Sequence, residues 1–237
     1  MRAAVIVLAA GDWRRVGAGT NKVLLPLAGL PVFAWSLRWL EEVEYADRVV
    51  VIVRDQDRSF VETVIADRFP EVDVAVVTGG RTRHASEWNA LMSMESAIDA
   101  GEIDVVVIHD AARPLAGPHV FTAVIEDAAG FGGALPVREQ PALVPRVSTS
   151  VASMGERLVS VQTPQAFRAQ PLLDAHRMAA LDGFIGPDTA SCMERYTDLE
   201  ICCLTCSATN LKITSDLLEA GLDDVTNHSN LSAGGVQ

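Results

Sequence analysis

The feature of the sequence that most constrains its fold is a regular alternation of short apolar runs with segments of helical periodicity. β-branched runs of strand length occupy 3–10, 48–53, 72–77, 104–108 and 133–137. Segments whose apolar residues recur at helical spacing lie between them, at 32–43, 60–69, 85–98 and 120–128. This alternation predicts βαβ units and a mostly parallel sheet with helices on both faces. Ligands of such sheets bind at the carboxyl ends of the strands.

The pattern changes between 138 and 161, where short apolar pairs are interrupted by Pro and Ser. It predicts a two-stranded β-arm that projects from the sheet, and because such an arm cannot bury itself, we expect a partner subunit to cover it. Further helices are predicted at 171–181, 189–195 and 215–222, with a strand at 200–204. We predict one domain over 1–226 and a flexible polar tail at 227–237.

Charge and hydropathy exclude several classes of protein. The formal net charge of −12 argues against a nucleic-acid partner, because an acidic surface repels the phosphate backbone. The apolar runs fall far short of the roughly 20 residues that a membrane helix requires. The first apolar run ends in G-D-W-R-R, which lacks the small-residue cleavage site of a secretory signal. We therefore expect a cytoplasmic protein without a membrane partner.

The cysteines, at positions 192, 202, 203 and 206, do not have the spacing of a zinc site. Such a site needs two separated pairs of ligands, whereas Cys202 and Cys203 are adjacent within an apolar run that is typical of a buried strand. The pattern favours reduced cysteines in the core.

The loop that leaves the first strand is basic although the protein is acidic. Gly11 is followed by Arg14, Arg15 and Lys22, an arrangement typical of a loop that cradles a polyphosphate. The loop matches neither G-x-x-x-x-G-K-[ST] nor G-x-G-x-x-G, which disfavours kinases and hydride-transfer enzymes. Lysine occurs only at 22 and 212, which indicates sites that need a compact point charge. Solvated arginines on an ordinary turn and chance placement of the lysines remain alternatives.

Two further strand ends carry candidate chemistry. In V-V-V-I-H-D-A-A-R-P, at 105–114, Asp110 can hold a divalent cation on substrate phosphates, and Arg113 can bind a phosphate in bidentate fashion. His109 is interpreted as a packing residue. The glycine turn at 79–80 opens a helix that carries Ser86, and its backbone can read the edge of a base.

The chain resembles the 2-C-methyl-D-erythritol 4-phosphate cytidylyltransferase family and its close relatives in motifs that follow one another in order. They are L-A-A-G at 8–11 followed by R-R and Lys22, G-G-x-x-R-x-x-S at 79–86, H-D-A-A-R-P at 109–114, T-P-Q at 163–165, D-x-A-S at 188–191 and N-L-K-I-T at 210–214. The resemblance implies a Rossmann-like nucleotide-diphospho-sugar transferase fold. It also implies a Mg²⁺-dependent reaction of CTP with a polyol phosphate in isoprenoid precursor synthesis, and a homodimer joined through the β-arm.

The resemblance also assigns roles to individual positions. Residues expected to line the nucleotide are Ala9, Ala10, Gly11, Gly80, Ser86, Asp110 and Ala111. Asp110 is expected to hold Mg²⁺, and Arg15 and Lys22 are the expected catalytic residues that stabilise charge on the α-phosphate of CTP. Arg113, Lys212 and Asp188 are expected to bind the substrate. An ionised acceptor phosphate attacks without a general base, so positioning and charge neutralisation supply the catalysis.

The sequence departs from the family pattern mainly where the acceptor is expected to bind. Gln140, Gly155 and Pro187 stand at acceptor positions, and Trp13 replaces a glycine of the first loop. These departures leave two alternatives open beside 2-C-methyl-D-erythritol 4-phosphate as acceptor. One is a cytidylyltransferase for another polyol phosphate such as ribitol 5-phosphate, and the other is a non-catalytic nucleotide-binding relative.

Overall fold

The computed structural model describes residues 1–11, 21–139, 146–147, 150–151, 159–206 and 209–214. Its strands are β1 (Ala3–Leu8), β2 (Pro26–Leu27), β3 (Leu30–Pro31), β4 (Ala46–Val53), β5 (Val74–Thr78), β6 (Val105–Asp110), β7 (Gly132–Glu139), β8 (Arg146–Val147), β9 (Ser150–Val151), β10 (Val159–Val161), β11 (Gln165–Arg168) and β12 (Glu200–Thr205). Its α-helices are α1 (Val32–Leu40), α2 (Arg58–Arg68), α3 (Arg83–Ser93), α4 (Glu95–Asp99), α5 (Pro118–Phe131), α6 (Ala169–Asp182) and α7 (Thr189–Tyr196). Turns of 3₁₀-helix cover Lys22–Leu24 and Asp55–Asp57.

The described strands form an eight-stranded, mostly parallel sheet in the order β10-β7-β11-β6-β1-β4-β5, with β12 also paired to β7. β1, β4, β5 and β6 run parallel, as the alternation of strands and helices predicts. β11 is antiparallel to both β6 and β7, and β10 is antiparallel to β7. The α/β fold with a mostly parallel sheet is therefore confirmed, and the sequence analysis missed β11.

The core has two halves, one on each face of the sheet. Along β1 the side chains of Ala3, Val5 and Val7 pack into one half, with α1 and α5. Those of Ala4 and Ile6 pack into the other half, with α3 and α6. Because β1 is buried on both faces, its sequence is a continuous apolar run rather than an alternating one. Helices cover both faces, as predicted.

Pairing of the central strands brings their carboxyl ends to one edge of the sheet. Leu8, the last residue of β1, is in register with Ile52 of β4 and with Asp110 of β6. The loops that follow these strands therefore start side by side. This edge is where the sequence places its basic, acidic and glycine-rich loops.

Part of the predicted β-arm lies within the described residues. β8 and β9 pair antiparallel, and β10 returns to the sheet with Val159 opposite Glu139. The rest of the arm, the helix predicted at 215–222 and the tail lie outside the described residues, so the domain boundaries stay predictions. Among the helices that the structure describes, none has the length and apolar character needed to cross a membrane.

The core location predicted for the cysteines holds only for Cys192, which is fully buried. Cys203 is exposed, and Cys202 and Cys206 are half-buried. A strand is present as predicted at 200–204, but it is not buried, because among the described strands β12 pairs with β7 alone and lies at an edge of the sheet.

Candidate active site

A cavity of about 720 Å³ opens at the edge where the central strands end. It is lined by residues from the loops that follow β1, β5 and β6 and from the segment near Lys212. Of the residues predicted from the sequence, those that line it are Ala10, Gly11, Lys22, Gly80, Ser86, Asp110 and Lys212. Segments far apart in the chain therefore contribute to one site.

The carboxylate of Asp110 lies between two cations. Its Oδ2 accepts a hydrogen bond from the Lys212 Nζ at 2.7 Å, and its Oδ1 lies 3.5 Å from the Arg83 Nε. Burial raises the pKa of Asp110, but the charges of Lys212 and Arg83 outweigh it and lower the pKa to about 2. The carboxylate is therefore ionised throughout the pH range in which the protein is expected to work.

The described part of the first loop resumes at Asn21, and this residue positions Lys22. The buried Asn21 side chain donates to the Ala9 carbonyl at 2.7 Å and caps the 3₁₀ turn that contains Lys22. The Lys22 Nζ donates to the Ile213 carbonyl oxygen at 2.7 Å. Burial, reinforced by the charge of Lys212, lowers the pKa of Lys22, whereas Asp110 opposes this shift. An anionic ligand between the two lysines would relieve their mutual repulsion.

The glycine turn before α3 packs too tightly to accept side chains. A Cβ added at Gly80 would lie 2.4 Å from the Ala85 Cβ, and one at Gly79 would lie 2.6 Å from the Ala10 Cβ. The Ser86 hydroxyl accepts from the Gly80 N–H at 3.1 Å and donates to the Thr82 carbonyl at 3.0 Å. Ser86 therefore fixes the backbone of this turn at the wall of the cavity.

Arg113 is not part of the cavity lining. Its Nη1 donates to the Asn210 carbonyl at 2.8 Å, and the Asn210 amide donates to the Thr163 carbonyl at 2.9 Å. These bonds hold the segment that carries Lys212 against the end of β6. The bond of Nη1 to a backbone carbonyl was not expected from the sequence, and the phosphate contact of Arg113 stays a prediction.

Asp188 likewise has a local structural role. It is the N-cap of α7, where its Oδ1 accepts from the Ser191 N–H at 2.9 Å in a reciprocal capping box. Asp188 does not line the cavity. Its expected contact with substrate stays a prediction, whereas its capping bond explains the D-x-A-S motif without a ligand.

Ala9 and Ala111 have buried side chains and act through their backbones. The Ala9 N–H donates to the Ile52 carbonyl at 2.8 Å, and the Ala111 N–H donates to the Leu8 carbonyl at 3.1 Å. Both residues extend the strand pairing at the edge of the cavity. Because their side chains are buried there, small side chains suit these positions. His109 is fully buried against Phe121, and burial lowers its pKa to about 3, in agreement with a packing role.

Arg83 and Arg54 also line the cavity, although neither was among the site residues predicted from the sequence. Arg83 stands within the G-G-x-x-R-x-x-S motif, so a signal for it was present. Arg54 follows β4 directly and bonds the buried carboxylate of Asp57 at 2.6 and 3.0 Å. Its position at the carboxyl end of a central strand was the available signal.

Comparison with known proteins decides the family of the chain. The sequence profile of the family described as 2-C-methyl-D-erythritol 4-phosphate cytidylyltransferase matches residues 3–222. The chain belongs to this family. It is 34% identical over 219 residues to the cytidylyltransferase of that name from Shouchella clausii (strain KSM-K16), covering 91% of this chain and 93% of the relative. It is 38% identical over 194 residues to the one from Geobacillus kaustophilus (strain HTA426), covering 80% and 82%.

Solved structures agree with the fold of this family. A 4-diphosphocytidyl-2C-methyl-D-erythritol synthase from Anaerococcus prevotii DSM 20548 superposes with a TM-score of 0.80 at 18% identity, covering 97% of this chain and 96% of that one. The 2-C-methyl-D-erythritol 4-phosphate cytidylyltransferase from Thermus thermophilus gives a TM-score of 0.66 at 23% identity, covering 96% and 98%. The protein is therefore an enzyme of the cytidylyltransferase class with a Rossmann-like α/β fold.

Several positions at which this cytidylyltransferase departs from the family pattern lie outside the described residues. They are Trp13, Gln140 and Gly155, and the expected catalytic Arg15 lies outside them as well. Pro187 is described and is exposed immediately before the N-cap of α7.

Proposed function

We propose that this protein transfers the cytidylyl group of CTP to 2-C-methyl-D-erythritol 4-phosphate, with release of pyrophosphate, in the cavity at the carboxyl edge of the sheet. The observation that carries the proposal is the convergence of Lys22, Asp110 and Lys212 at that edge. The Lys212 Nζ lies 2.7 Å from the Asp110 carboxylate, and the Lys22 Nζ lies 2.7 Å from the carbonyl of Ile213, the residue after Lys212. Such a group of charges suits a triphosphate and an anionic acceptor.

We assign the glycine turn at 79–80 to the cytosine ring. The two glycines let this turn pack tightly against Ala10 and Ala85 at the wall of the cavity, and Ser86 keeps the turn rigid. A rigid backbone surface can discriminate one base edge from another because its donors and acceptors do not move. The triphosphate then extends along Ala10 and Gly11 toward Lys22.

The side chains act on charge rather than on proton transfer. The acceptor phosphate is already ionised, so its oxygen attacks the α-phosphorus in line and the bond to pyrophosphate breaks. Lys22, together with Arg15, stabilises the negative charge that builds on the α-phosphate. Lys212, which is half-exposed at the cavity mouth, is the cation that we assign to the incoming acceptor phosphate.

The chemistry of the cavity fits Mg²⁺. Among the described residues that line it, Asp110 is the acidic one, and its carboxylate is ionised. Mg²⁺ is usually held by one or two carboxylates together with substrate phosphates and water, which matches a site with a single carboxylate. When bound, Mg²⁺ neutralises phosphate charge and aligns the triphosphate. Asp110 is the residue that we assign to hold it.

A homodimer joined through the β-arm and a cytoplasmic location complete the proposal. Val159 and Val161 of β10 remain exposed at the base of the arm, and these apolar side chains support its coverage by a second subunit.

The test is a pyrophosphate-release assay that crosses the four nucleoside triphosphates with 2-C-methyl-D-erythritol 4-phosphate and ribitol 5-phosphate. We expect release with CTP and 2-C-methyl-D-erythritol 4-phosphate, abolished by EDTA and restored by Mg²⁺. Preference for ribitol 5-phosphate would reassign the acceptor. CTP binding by calorimetry without turnover on either acceptor would show a non-catalytic relative instead.

A further inference from the structure

Arg83 connects the active-site carboxylate to a second, buried carboxylate. Its Nε faces the Asp110 Oδ1 at 3.5 Å, and its Nη1 donates to the Glu87 Oε1 and to the Thr189 hydroxyl, the latter at 3.2 Å. The Thr189 hydroxyl in turn donates to the Glu87 Oε1 at 3.1 Å. Arg83 therefore lies in the wall of the cavity, and hydrogen bonds to Glu87 and Thr189 hold its guanidinium in place.

Glu87 is fully buried and has a second cation on its other oxygen. Its Oε2 lies 3.2 Å from the His176 Nε2, and the His176 Nδ1 lies 3.0 Å from the Leu172 carbonyl oxygen. Because both ring nitrogens face oxygen acceptors, both carry protons and His176 is an imidazolium. A buried carboxylate is tolerated when it is paired and fully hydrogen-bonded, and Glu87 meets this condition through Arg83, Thr189 and His176.

We propose that Glu87, backed by His176, is a positioning residue that holds the Arg83 guanidinium in the wall of the active-site cavity. The hydrogen bonds from Nη1 to Glu87 and Thr189 fix the orientation of the guanidinium, so that its Nε faces the Asp110 carboxylate. Arg83 thereby places a fixed positive charge beside the carboxylate that we assign to Mg²⁺. This inference rests on the proposed function and adds Arg83 to its cations.

The same region contains a cluster that resembles a metal site but does not have the geometry of one. Ligand atoms of His84, His176 and Cys192 lie within 4.8 Å of one another. The two imidazole rings are stacked, with an interplanar angle of 9°, and both nitrogens of His176 already have oxygen partners. Stacked rings do not point their lone pairs at a common ion. The cluster instead packs the His84 ring and the Cys192 side chain around the His176 imidazolium.

The main test is the Glu87→Gln variant, which removes the charge and keeps the shape. We expect kcat to fall about tenfold with the KM for the acceptor unchanged, because a displaced Arg83 alters the charge around the reacting phosphates. Glu62→Gln is the matched control. It makes the same substitution in the Arg58–Glu62 pair, which has the same spacing on α2 and is exposed. It should retain wild-type kinetics.

A double-mutant cycle separates positioning from general loosening. If Glu87 acts through Arg83, the Arg83→Ala/Glu87→Gln double variant is no slower than Arg83→Ala alone. Additive losses, or wild-type kcat in a folded Glu87→Gln variant, would overturn the inference. Thr189→Val provides a second route if Glu87→Gln does not fold, with a smaller loss in kcat that also vanishes in the Arg83→Ala background.

Two readouts do not depend on activity. A crystal structure of Glu87→Gln should show the Arg83 guanidinium turned away from its present position, and an unmoved Arg83 would contradict the proposal. Elemental analysis of the purified wild type should show no stoichiometric zinc, whereas one zinc per chain would replace this interpretation by a metal site. An inactive wild type would refute the proposed function, and the structural readout would still decide the role of Glu87.

Discussion

At the scale of single residues, the two lysines of the chain each bind a partner within the protein. Lys22 bonds the Ile213 carbonyl, and Lys212 bonds Asp110. Their charges also oppose each other, since Lys212 contributes to the lowered pKa of Lys22. Phosphate groups bound between the two lysines would attract both ammonium groups and offset their mutual repulsion. The free enzyme is therefore set up to favour an anionic ligand.

The first prediction concerns Lys22. Lys22→Ala should fold normally and lose about 10²- to 10³-fold in kcat, because it removes a cation from the charge that develops in the transition state. Steady-state pyrophosphate release and a thermal melt measure the two properties. Arg38→Ala, which removes an exposed cation on α1, is the control and should keep full activity. Unchanged kcat in Lys22→Ala would show that Lys22 is peripheral.

The residue scale also shows where sequence reasoning succeeds and where it stops. The convergence of Lys22, Asp110 and Lys212 at one cavity could be predicted because they are charged residues at strand ends or isolated lysines, whereas their roles stay predictions. The assignment of Arg113 to phosphate, from its place in H-D-A-A-R-P, stays a prediction, whereas the bond of its Nη1 to a backbone carbonyl 97 residues away could not be predicted. Which acceptor a buried guanidinium finds depends on tertiary packing, which a single sequence does not contain.

At the scale of elements, the capping of α7 by Asp188 offers a way to distinguish a structural role of this residue from a substrate-binding role. Asparagine caps helices about as well as aspartate but lacks the charge. Asp188→Asn should therefore keep both stability and activity, whereas Asp188→Ala should lose about 1 kcal/mol of unfolding free energy. Urea unfolding and the pyrophosphate assay measure these effects. A stable but inactive Asp188→Asn variant would restore the carboxylate to the substrate site.

Long elements were predictable and short ones were not. The strands and helices that form the βαβ units recur at their predicted places because their apolar periodicity extends over many residues. β11 has four residues and begins at the Gln of T-P-Q, and the β2–β3 hairpin consists of two-residue strands joined by Ala28 and Gly29. Both residues of that turn have positive φ, 47° and 83°, but Ala-Gly is a weak signal for such a turn. The predicted helix at 85–98 is divided at Met94, whose backbone leaves the helical region for no reason visible in the sequence.

At the scale of the whole molecule, the alternation of strands and helices was sufficient to predict the sheet and the edge that carries the site. Oligomeric state was predicted from the β-arm and from the family resemblance, and it can be tested through the arm. Because Val159 pairs with Glu139, a two-residue Asn-Gly turn can replace 140–158 and close a hairpin. We expect light scattering to give a dimer mass for the wild type and a monomer mass for this variant. A monomeric wild type would contradict the homodimer.

The last prediction concerns the pH dependence of the unfolding free energy. Two buried histidines, His109 and His176, change it in opposite directions because their pKa values are shifted in opposite directions. Burial lowers the pKa of His109 to about 3, from 6.5, so below pH 6.5 the unfolded chain binds a proton that the folded chain does not, and stability falls with acidification. Burial also lowers the pKa of His176, but its bonds to Cys192 and Glu87 outweigh this and raise it to about 9.

For His176 the sign is reversed. The folded chain keeps the His176 proton above pH 6.5 while the unfolded chain loses it, so this contribution is complete below pH 6.5 and disappears as pH rises to 9. Each slope approaches about 1.4 kcal/mol per pH unit. The groups that face His176 are Glu87 and His84 of α3 and Cys192 of α7, with Arg83 beyond Glu87. Urea midpoints should therefore peak near pH 6.5. His176→Gln should flatten the decline toward pH 9, and an equally steep decline in that variant would place the titrating group elsewhere.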